Sequence, residues 1–314
     1  MLRLRLTHLL TLLAVFGAGG CTTLKHTAVN QLGDALAAGG TSYAADDDPA
    51  LVQAAAPFSL KLMESLLAEN PTHRGLLLAA TSGFTQYAYA FVQQDADELE
   101  EKNVSAAAAL RQRAGRLYLR AHNYGLRGLA VAHADFPALL RRDPRAAAQL
   151  CTPADVPLLY WTAVSWCAAI ALSKDQPALI AELPMAEALI DRALVLDEAY
   201  DHGAIHAFLV TYEMSRVGAG GDPAARAEQH FNRALALGRG GQASALVAFA
   251  EAVCVQRQDR ARFQAVLTQA LAIDANAQPE SRLLNLVMQR RARWLLIRSD
   301  ELFLSLDNPP EPKT

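Results

Sequence analysis

The chain has 314 residues, 52% of them apolar, which is enough to build a sizeable core and excludes an intrinsically disordered chain. Its formal net charge of −3, with no run of Lys and Arg, excludes a strongly basic nucleic-acid-binding protein. Four cysteines are too few for a disulfide scaffold, and the abundance of Ala and Leu favours helix.

The N-terminus has the pattern of an export signal. Two early arginines precede an apolar run over 9–16, and small residues lead from it to Cys21. This run is shorter than the ~18 apolar residues of a membrane-spanning helix. A Cys directly after small residues resembles a bacterial lipobox, whose Cys receives a lipid. We therefore predict a signal peptide over 1–20 and a periplasmic protein lipidated at Cys21, with a soluble secreted protein as the alternative. Asp directly after the lipidated Cys would favour retention in the inner membrane. Thr22 occupies this position, so we expect the protein to be sorted to the outer membrane.

The next segment leads into the body of the protein. Residues 21–45 are mostly polar or small and predict a tether with one short helix. Asp46, Asp47 and Asp48 then precede Pro49, and this order predicts a helix start, because Asp accepts hydrogen bonds from free N–H groups and Pro fits the first turn. Calcium binding is the alternative, but the EF-hand spacing is absent.

The remainder, 46–314, is predicted to be one all-α domain. Apolar residues recur at helical spacing, brief Gly, Pro or Asp breaks separate the segments, and no alternation typical of strands is found. Pro57 is expected to kink or restart the first helix. The predicted helices span 48–69, 72–94, 97–122, 124–134, 153–172, 184–197, 202–216, 222–237, 242–255, 259–272 and 278–297.

Several of these helices end in related sequences. The Ala-Leu endings that begin at 193, 234 and 270 recur at nearly the ~34-residue spacing of tetratricopeptide units, and 65–71 is a more distant fourth ending. Ala at such positions lets neighbouring helices approach, and Leu fills the groove between them. We predict an irregular tetratricopeptide-like helical repeat, an α-solenoid, with a compact helical bundle as the alternative.

Two helices are rich in aromatic residues. Tyr87 and Tyr89 lie in the densest aromatic segment, and Tyr160 and Trp161 lie in a second one. A helix that is apolar on all sides is usually central, which favours core packing. Buried Tyr and Trp also need partners for their O–H and N–H groups, which keeps the lining of a ligand cavity as the second interpretation.

A stripe of arginines is the main charged pattern. On an unbroken helix Arg113, Arg116, Arg120 and Arg127 lie within an arc of ~60°. Arg presents a planar fork that suits carboxylate and phosphate groups, so the stripe is a candidate binding surface. The interpretation we favour is ion pairing, either with the acidic stretch 95–101 or with another subunit.

No pattern indicates catalysis or a bound metal. His202, His206 and Glu213 share one predicted helix face, but Gly203 stands where a zinc protease has Glu, so a helix–helix contact is favoured over a metal hydrolase. Nucleophile-elbow, P-loop and dinucleotide motifs are absent. We therefore expect no enzyme activity, no cofactor and no metal.

The cysteines other than Cys21 allow at most one disulfide and leave one free thiol. They are Cys151, Cys167 and Cys254. Spacing does not choose the pair. Cys167 lies in the apolar stretch 163–172 and is predicted to be a small core residue.

An ordered set of segments, spread from about 46 to 304, resembles the T-component (TatT-like) family of tripartite ATP-independent periplasmic (TRAP) transporters. Each segment is weak alone, but the ordered set is specific. The segments are 46–49 with 57–62, 70–78, 83–92, 116–120, 155–161, 203–206 and 289–296.

The resemblance implies an all-α lipoprotein with degenerate tetratricopeptide-like motifs, anchored in the periplasm. It implies a homo-oligomer, specifically a trimer, that binds the solute-binding P component of the transporter and has no catalysis. It transfers no site residues, so our candidates for ligand or partner contact are Tyr87, Tyr89, Tyr160, Trp161, Arg113, Arg116 and Arg120. The alternative function is a general tetratricopeptide-like envelope scaffold unrelated to transport.

Overall fold

The computed structural model describes residues 30–38 and 40–304, which are helical and contain no strand, so the all-α class is confirmed. The predicted signal peptide and Cys21 lie outside these residues. The helices are α1 (30–38), α2 (Gly40–Ala44), α3 (Pro49–Glu69), α4 (Arg74–Tyr87), α5 (Gln94–Leu99), α6 (Val104–Ala132), α7 (Phe136–Arg142), α8 (Pro144–Gln149), α9 (Val156–Ala171), α10 (Pro177–Ile180), α11 (Leu183–Leu196), α12 (Tyr200–Tyr212), α13 (Pro223–Leu237), α14 (Ser244–Phe249), α15 (Arg260–Ala272), α16 (Arg282–Ile297) and α17 (Ser299–Leu302). The π-helical segments Ala88–Gln93 and Ala250–Cys254 extend α4 and α14, and Pro153–Asp155 and Pro279–Ser281 are 3₁₀ turns.

Helices that follow one another along the chain pack side by side. From α11 to α16 each helix contacts the next, as expected when repeats bury a face against their neighbours. The related sequences noted above all lie at helix ends, those of α3, α11, α13 and α15. In the N-terminal half the order is less regular, because α6 packs against both α4 and α9, and α9 also packs against α11. Three clusters of buried apolar side chains succeed one another along the chain. The first centres on α3, α4 and α6, the second on α7–α9 with α11 and α12, and the third on α13–α16.

The start of α3 has the predicted cap. The Asp48 carboxylate accepts hydrogen bonds from the N–H groups of Ala50 and Leu51, each at 3.0 Å, and Pro49 occupies the first turn. These bonds satisfy N–H groups that a helix N-terminus otherwise leaves free. The expected restart at Pro57 is wrong, since α3 continues through it to Glu69.

The described part of the predicted tether is helical and packs on the body. The Asn70 amide donates to the Asn30 side chain at 2.6 Å, which holds α1 against the end of α3. Arg282 of α16 donates to the carbonyl oxygen of Ala45 at 2.8 Å. In the described part of this segment, 30–38 and Gly40–Ala44 are helical, which is more helix than the one short helix predicted.

One long helix replaces the two predicted over 97–134. The predicted break between 122 and 124 is wrong, because α6 runs unbroken and Gly125 is buried where α6 crosses α9. A Cβ on Gly125 would lie 2.1 Å from Thr162 Oγ1 of α9, and one on Gly128 would lie 2.7 Å from Leu158 Cδ2. The glycines allow the two helices to approach closely, although each Gly is less favourable than Ala inside a helix.

The apolar segment Pro153–Ala171 is long and apolar enough to cross a membrane, with a mean hydropathy of 1.2. In the most apolar stretch of 18 residues in this segment, 67% of the residues are buried inside the protein, where the helix packs against α4, α6 and α11. A core helix of a soluble domain has the same composition. We therefore interpret α9 as the central core helix of the N-terminal half.

The three described cysteines are free and buried, so none of them forms a disulfide with another. Burial raises the pKa of the Cys167 thiol to about 12, which keeps it protonated and unreactive at neutral pH. The core role predicted for Cys167 is confirmed.

A buried histidine makes the α6–α9 contact sensitive to acid. His122 is 7% exposed, neither ring nitrogen has a hydrogen-bond partner, and its ring centroid lies 4.1 Å from that of Trp166. Burial, followed by the charge of Arg141, lowers the pKa of His122 to about 4.

His122 should therefore lower the free energy of unfolding in acid. Its folded pKa lies below the unfolded value, so the unfolded state binds the proton first, and stability present above pH ~6.5 is lost as pH falls towards ~4. We expect this residue to account for about 3 kcal/mol of the change in the free energy of unfolding between pH 7 and 4. Urea melts of the parent and His122→Phe across this range measure it. Identical pH profiles would contradict the assignment.

Candidate functional site

The predicted arginine stripe forms an exposed ridge along α6. We use "arginine ridge" for Arg113, Arg116, Arg120 and Arg127, all of them exposed. Three of its guanidinium groups lie over aromatic rings. Arg113 lies over Tyr87 of α4 at 5.8 Å and Arg120 over Phe84 of α4 at 5.4 Å, whereas Arg127 lies over Tyr124 of α6 itself at 5.3 Å. Cation–π contact holds a guanidinium in place without neutralising its charge.

The acidic stretch 95–101 does not pair with the ridge, so that part of the favoured interpretation is wrong. Its carboxylates face α16 and the first turns of α6, and their partners are Arg111, Arg290, Arg291 and Arg298. Among the described residues, the acidic group that pairs with the ridge is Glu64, 3.6 Å from Arg120 Nε. The ridge therefore keeps most of its positive charge on the surface.

A groove lies along the C-terminal part of the ridge. It has a volume of about 420 Å³ and opens widely to solvent. Charged and polar side chains at its wall suit a carboxylate or phosphate group, which Arg binds through two parallel N–H donors. Its lining residues are Arg116, Leu119, Arg120, Asn123, Tyr124 and Arg127.

The first aromatic pair lies in the core beneath this ridge. Tyr87 is buried and packs against Phe91, with ring centroids 5.7 Å apart. Tyr89 lies in the first π-helical segment and its hydroxyl donates to Met288 Sδ at 3.8 Å. Burial raises the pKa of Tyr89 to about 12. Tyr89 packs against two of the three core clusters, so it connects the N- and C-terminal halves.

The second aromatic pair belongs to a different core cluster. Tyr160 is buried, with its ring centroid 5.0 Å from that of Trp161 and 5.4 Å from that of Tyr200. Trp161 is half-buried and leaves part of its indole accessible. The structure thus brings Arg113 to Tyr87 but places Tyr160 and Trp161 among side chains of α9, α11 and α12.

A buried ion cluster between the halves was not predicted. Arg291 is 8% exposed and donates to Asp97 Oδ2 at 2.9 Å and to Glu251 Oε2 at 3.2 Å, while its guanidinium lies 4.2 Å from the centre of the Trp294 ring. Glu251 belongs to the second π-helical segment. The charges lie far apart in the sequence, so only the fold reveals the pairing.

The three residues of the predicted histidine face are separated. His202 has a left-handed backbone, with φ of 56°, and so does not continue the helical face of His206. The His206 and His230 Nδ1 atoms are 2.8 Å apart, and His206 Nε2 lies 3.3 Å from Glu198. Glu213 instead accepts from Arg226 at 2.6 Å. The predicted helix–helix contact is confirmed for His206.

One described cluster has the ligand types of a metal site. The ligand atoms of His133, Cys151 and Asp155 lie within 4.8 Å of one another. The Asp155 carboxylate already accepts from Arg74, from Thr152 N at 2.8 Å and lies 3.3 Å from His133 Nε2. Burial, with the charge of Asp155, raises the pKa of the Cys151 thiol to about 12. We interpret these residues as a hydrogen-bonded link that fixes the end of α6 to α4 and α9.

Comparison with known proteins agrees with this architecture. The family model described as TAtT, TRAP transporter T-component, matches residues 45–303. An uncharacterised protein of Treponema pallidum (strain Nichols) is 33% identical over 269 residues, covering 83% of this chain and 82% of the relative. The match spans the helices from α3 to α17 together with both π-helical segments. The chain belongs to the T-component family of TRAP transporters.

Proposed function

We propose that this protein is a periplasmic lipoprotein accessory of a TRAP-type transporter, lipidated at Cys21 and bound to the solute-binding P component. The family match over 45–303 carries the proposal. We further propose a homo-oligomer, specifically a trimer, because the T-component family implies one. The protein acts by protein–protein interaction, and it has no catalytic role.

The described candidates differ in their availability to a partner. Tyr87 and Tyr160 are buried, whereas Trp161 exposes part of its indole beside Tyr160 and Tyr200. Aromatic residues that combine a packed base with an accessible edge are frequent at the centres of protein interfaces. We therefore propose that the P component binds at Trp161. The ligand mouth of this solute-binding protein would then face Trp161.

The test is co-purification of the P component from envelope extracts, followed by affinity measurements on variants. Trp161→Ala should weaken the complex at least about thirtyfold, since interface hot spots contribute about 2 kcal/mol or more. Tyr89→Ala should instead lower the free energy of unfolding by about 3–5 kcal/mol, because it removes a ring packed between two core clusters.

Trp294→Ala is the matched control, because Trp294 is a half-buried indole held between Arg291 and Arg298 on α16. It should leave the affinity unchanged. A complex that tolerates Trp161→Ala would contradict the contact at Trp161. Failure to recover any P component, with other envelope proteins bound instead, would favour the general scaffold.

A further inference from the structure

The positive charge of this protein is concentrated in one segment. Residues 104–150 contain eight arginines and only two carboxylates, although the whole chain has a net charge of −3. Helix α6 itself contains five arginines and no acidic residue. Such asymmetry is typical of surfaces that meet an anionic partner.

The arginine ridge is available to that partner. Among the described residues, Arg116 has no ion pair and no ring contact, and Arg113 and Arg127 rest on aromatic rings. Glu64, the acidic neighbour of Arg120, is shared with Lys61 and accepts from the Tyr124 hydroxyl at 2.8 Å. The groove between these arginines is therefore electropositive.

One end of the ridge lies where the chain from the N-terminus enters the body. Arg127 donates to the carbonyl oxygen of Pro71 at 3.0 Å, and the neighbouring residue, Asn70, binds Asn30 at 2.6 Å. Asn30 lies nine positions after Cys21 in the sequence. A chain of that length spans at most about 30 Å.

We propose that the arginine ridge lies on the anionic lipid headgroups of the bilayer that holds Cys21, with a headgroup phosphate in the groove. This inference rests on the lipid anchor of the proposed function, which keeps Asn30, close to the Arg127 end of the ridge, within about 30 Å of that surface. The ridge runs for about 21 Å along α6, so several arginines can reach headgroups together. The anchor then sets the distance, and the ridge sets the orientation of the protein on the membrane.

Vesicle co-sedimentation tests the proposal with the mature chain that begins at residue 21 and carries Cys21→Ala, so that no lipid contributes. We expect binding to vesicles of phosphatidylcholine with phosphatidylglycerol, little binding to phosphatidylcholine alone, and loss of binding as NaCl is raised. Arg116→Gln should weaken binding about fivefold, and the triple replacement of Arg113, Arg116 and Arg120 by Gln about a hundredfold.

The matched control is Arg293→Gln, which removes an exposed arginine of α16 that has no ion pair among the described residues. It should leave vesicle binding unchanged, and thermal melts should show that each variant is folded. Equal binding to both vesicle types, or equal losses in Arg116→Gln and Arg293→Gln, would overturn the proposal. So would unchanged vesicle binding in Arg116→Gln together with weaker capture of the P component, because the ridge would then meet an acidic protein surface. Membrane fractionation of cells tests the anchor separately.

Discussion

Cys21→Ala should move the protein from the washed-membrane fraction of cells to the soluble fraction. Each acyl CH₂ buried in a bilayer contributes about 0.8 kcal/mol, so loss of the lipid removes the dominant attraction. Exposed arginines contribute only about 1 kcal/mol each near an anionic surface, and a high-salt wash screens them. Of the described helices, the one apolar enough to span a membrane is buried in the core and cannot replace the anchor.

The matched controls are Cys167→Ala and Cys254→Ala, which remove free, buried thiols and should leave membrane retention unchanged. Cys21→Ala should also leave the melting temperature unchanged, since the described helices begin after it. Equal retention of Cys21→Ala and the parent in washed membranes would show that no lipid is attached at this position.

Gly125→Ala should destabilise the protein by about 3 kcal/mol or more, the upper end of the usual cost of overpacking. The new Cβ would lie 2.1 Å from Thr162 Oγ1 and 2.9 Å from Thr162 Cβ, so α6 and α9 must separate or the threonine must rotate. Rotation is costly because the Thr162 hydroxyl donates to the Leu158 carbonyl oxygen at 2.5 Å, and because Thr has a branched Cβ.

Gly115→Ala on the same helix is the control. Its Cβ would have no neighbour nearer than Leu172 Cβ at 4.0 Å. The higher helix propensity of Ala should then stabilise the protein by up to about 1 kcal/mol. Urea unfolding of both variants gives the comparison. Equal and small effects at Gly115 and Gly125 would contradict the close crossing of α6 and α9.

Local sequence signals were sufficient for the helical class, for most helix limits and for the Asp48 cap. These features depend on residues within a few positions of one another: the periodicity of apolar side chains, the carboxylate before Pro49, and the Ala-Leu helix ends. The short helices α7, α8 and α10 were not predicted, because each has too few residues to show a period.

Ion pairing could not be assigned in the same way. The arc of arginines on α6 was correctly placed on one exposed face, but its partners depend on which helix covers which. The acidic stretch 95–101 forms ion pairs with Arg290 and Arg291, almost 200 residues away. The arginines of the ridge instead contact the rings of Tyr87, Phe84 and Tyr124. The Coulomb energy of a pair depends on distance and burial, which one helix alone does not specify.

The sequence by itself thus determined that this protein is all-α, where its helices lie and, through an ordered set of motifs, to which family it belongs. Tertiary structure alone decided which side chains of different helices meet. Gly125 has a low helix propensity by itself, but it permits the crossing of α6 and α9, because Thr162 lies against it. His202 lies off the face of His206 because of a left-handed turn, and the three described cysteines are unpaired. Helix formation follows from neighbours in the chain, whereas these outcomes depend on side chains that meet only after the helices have packed.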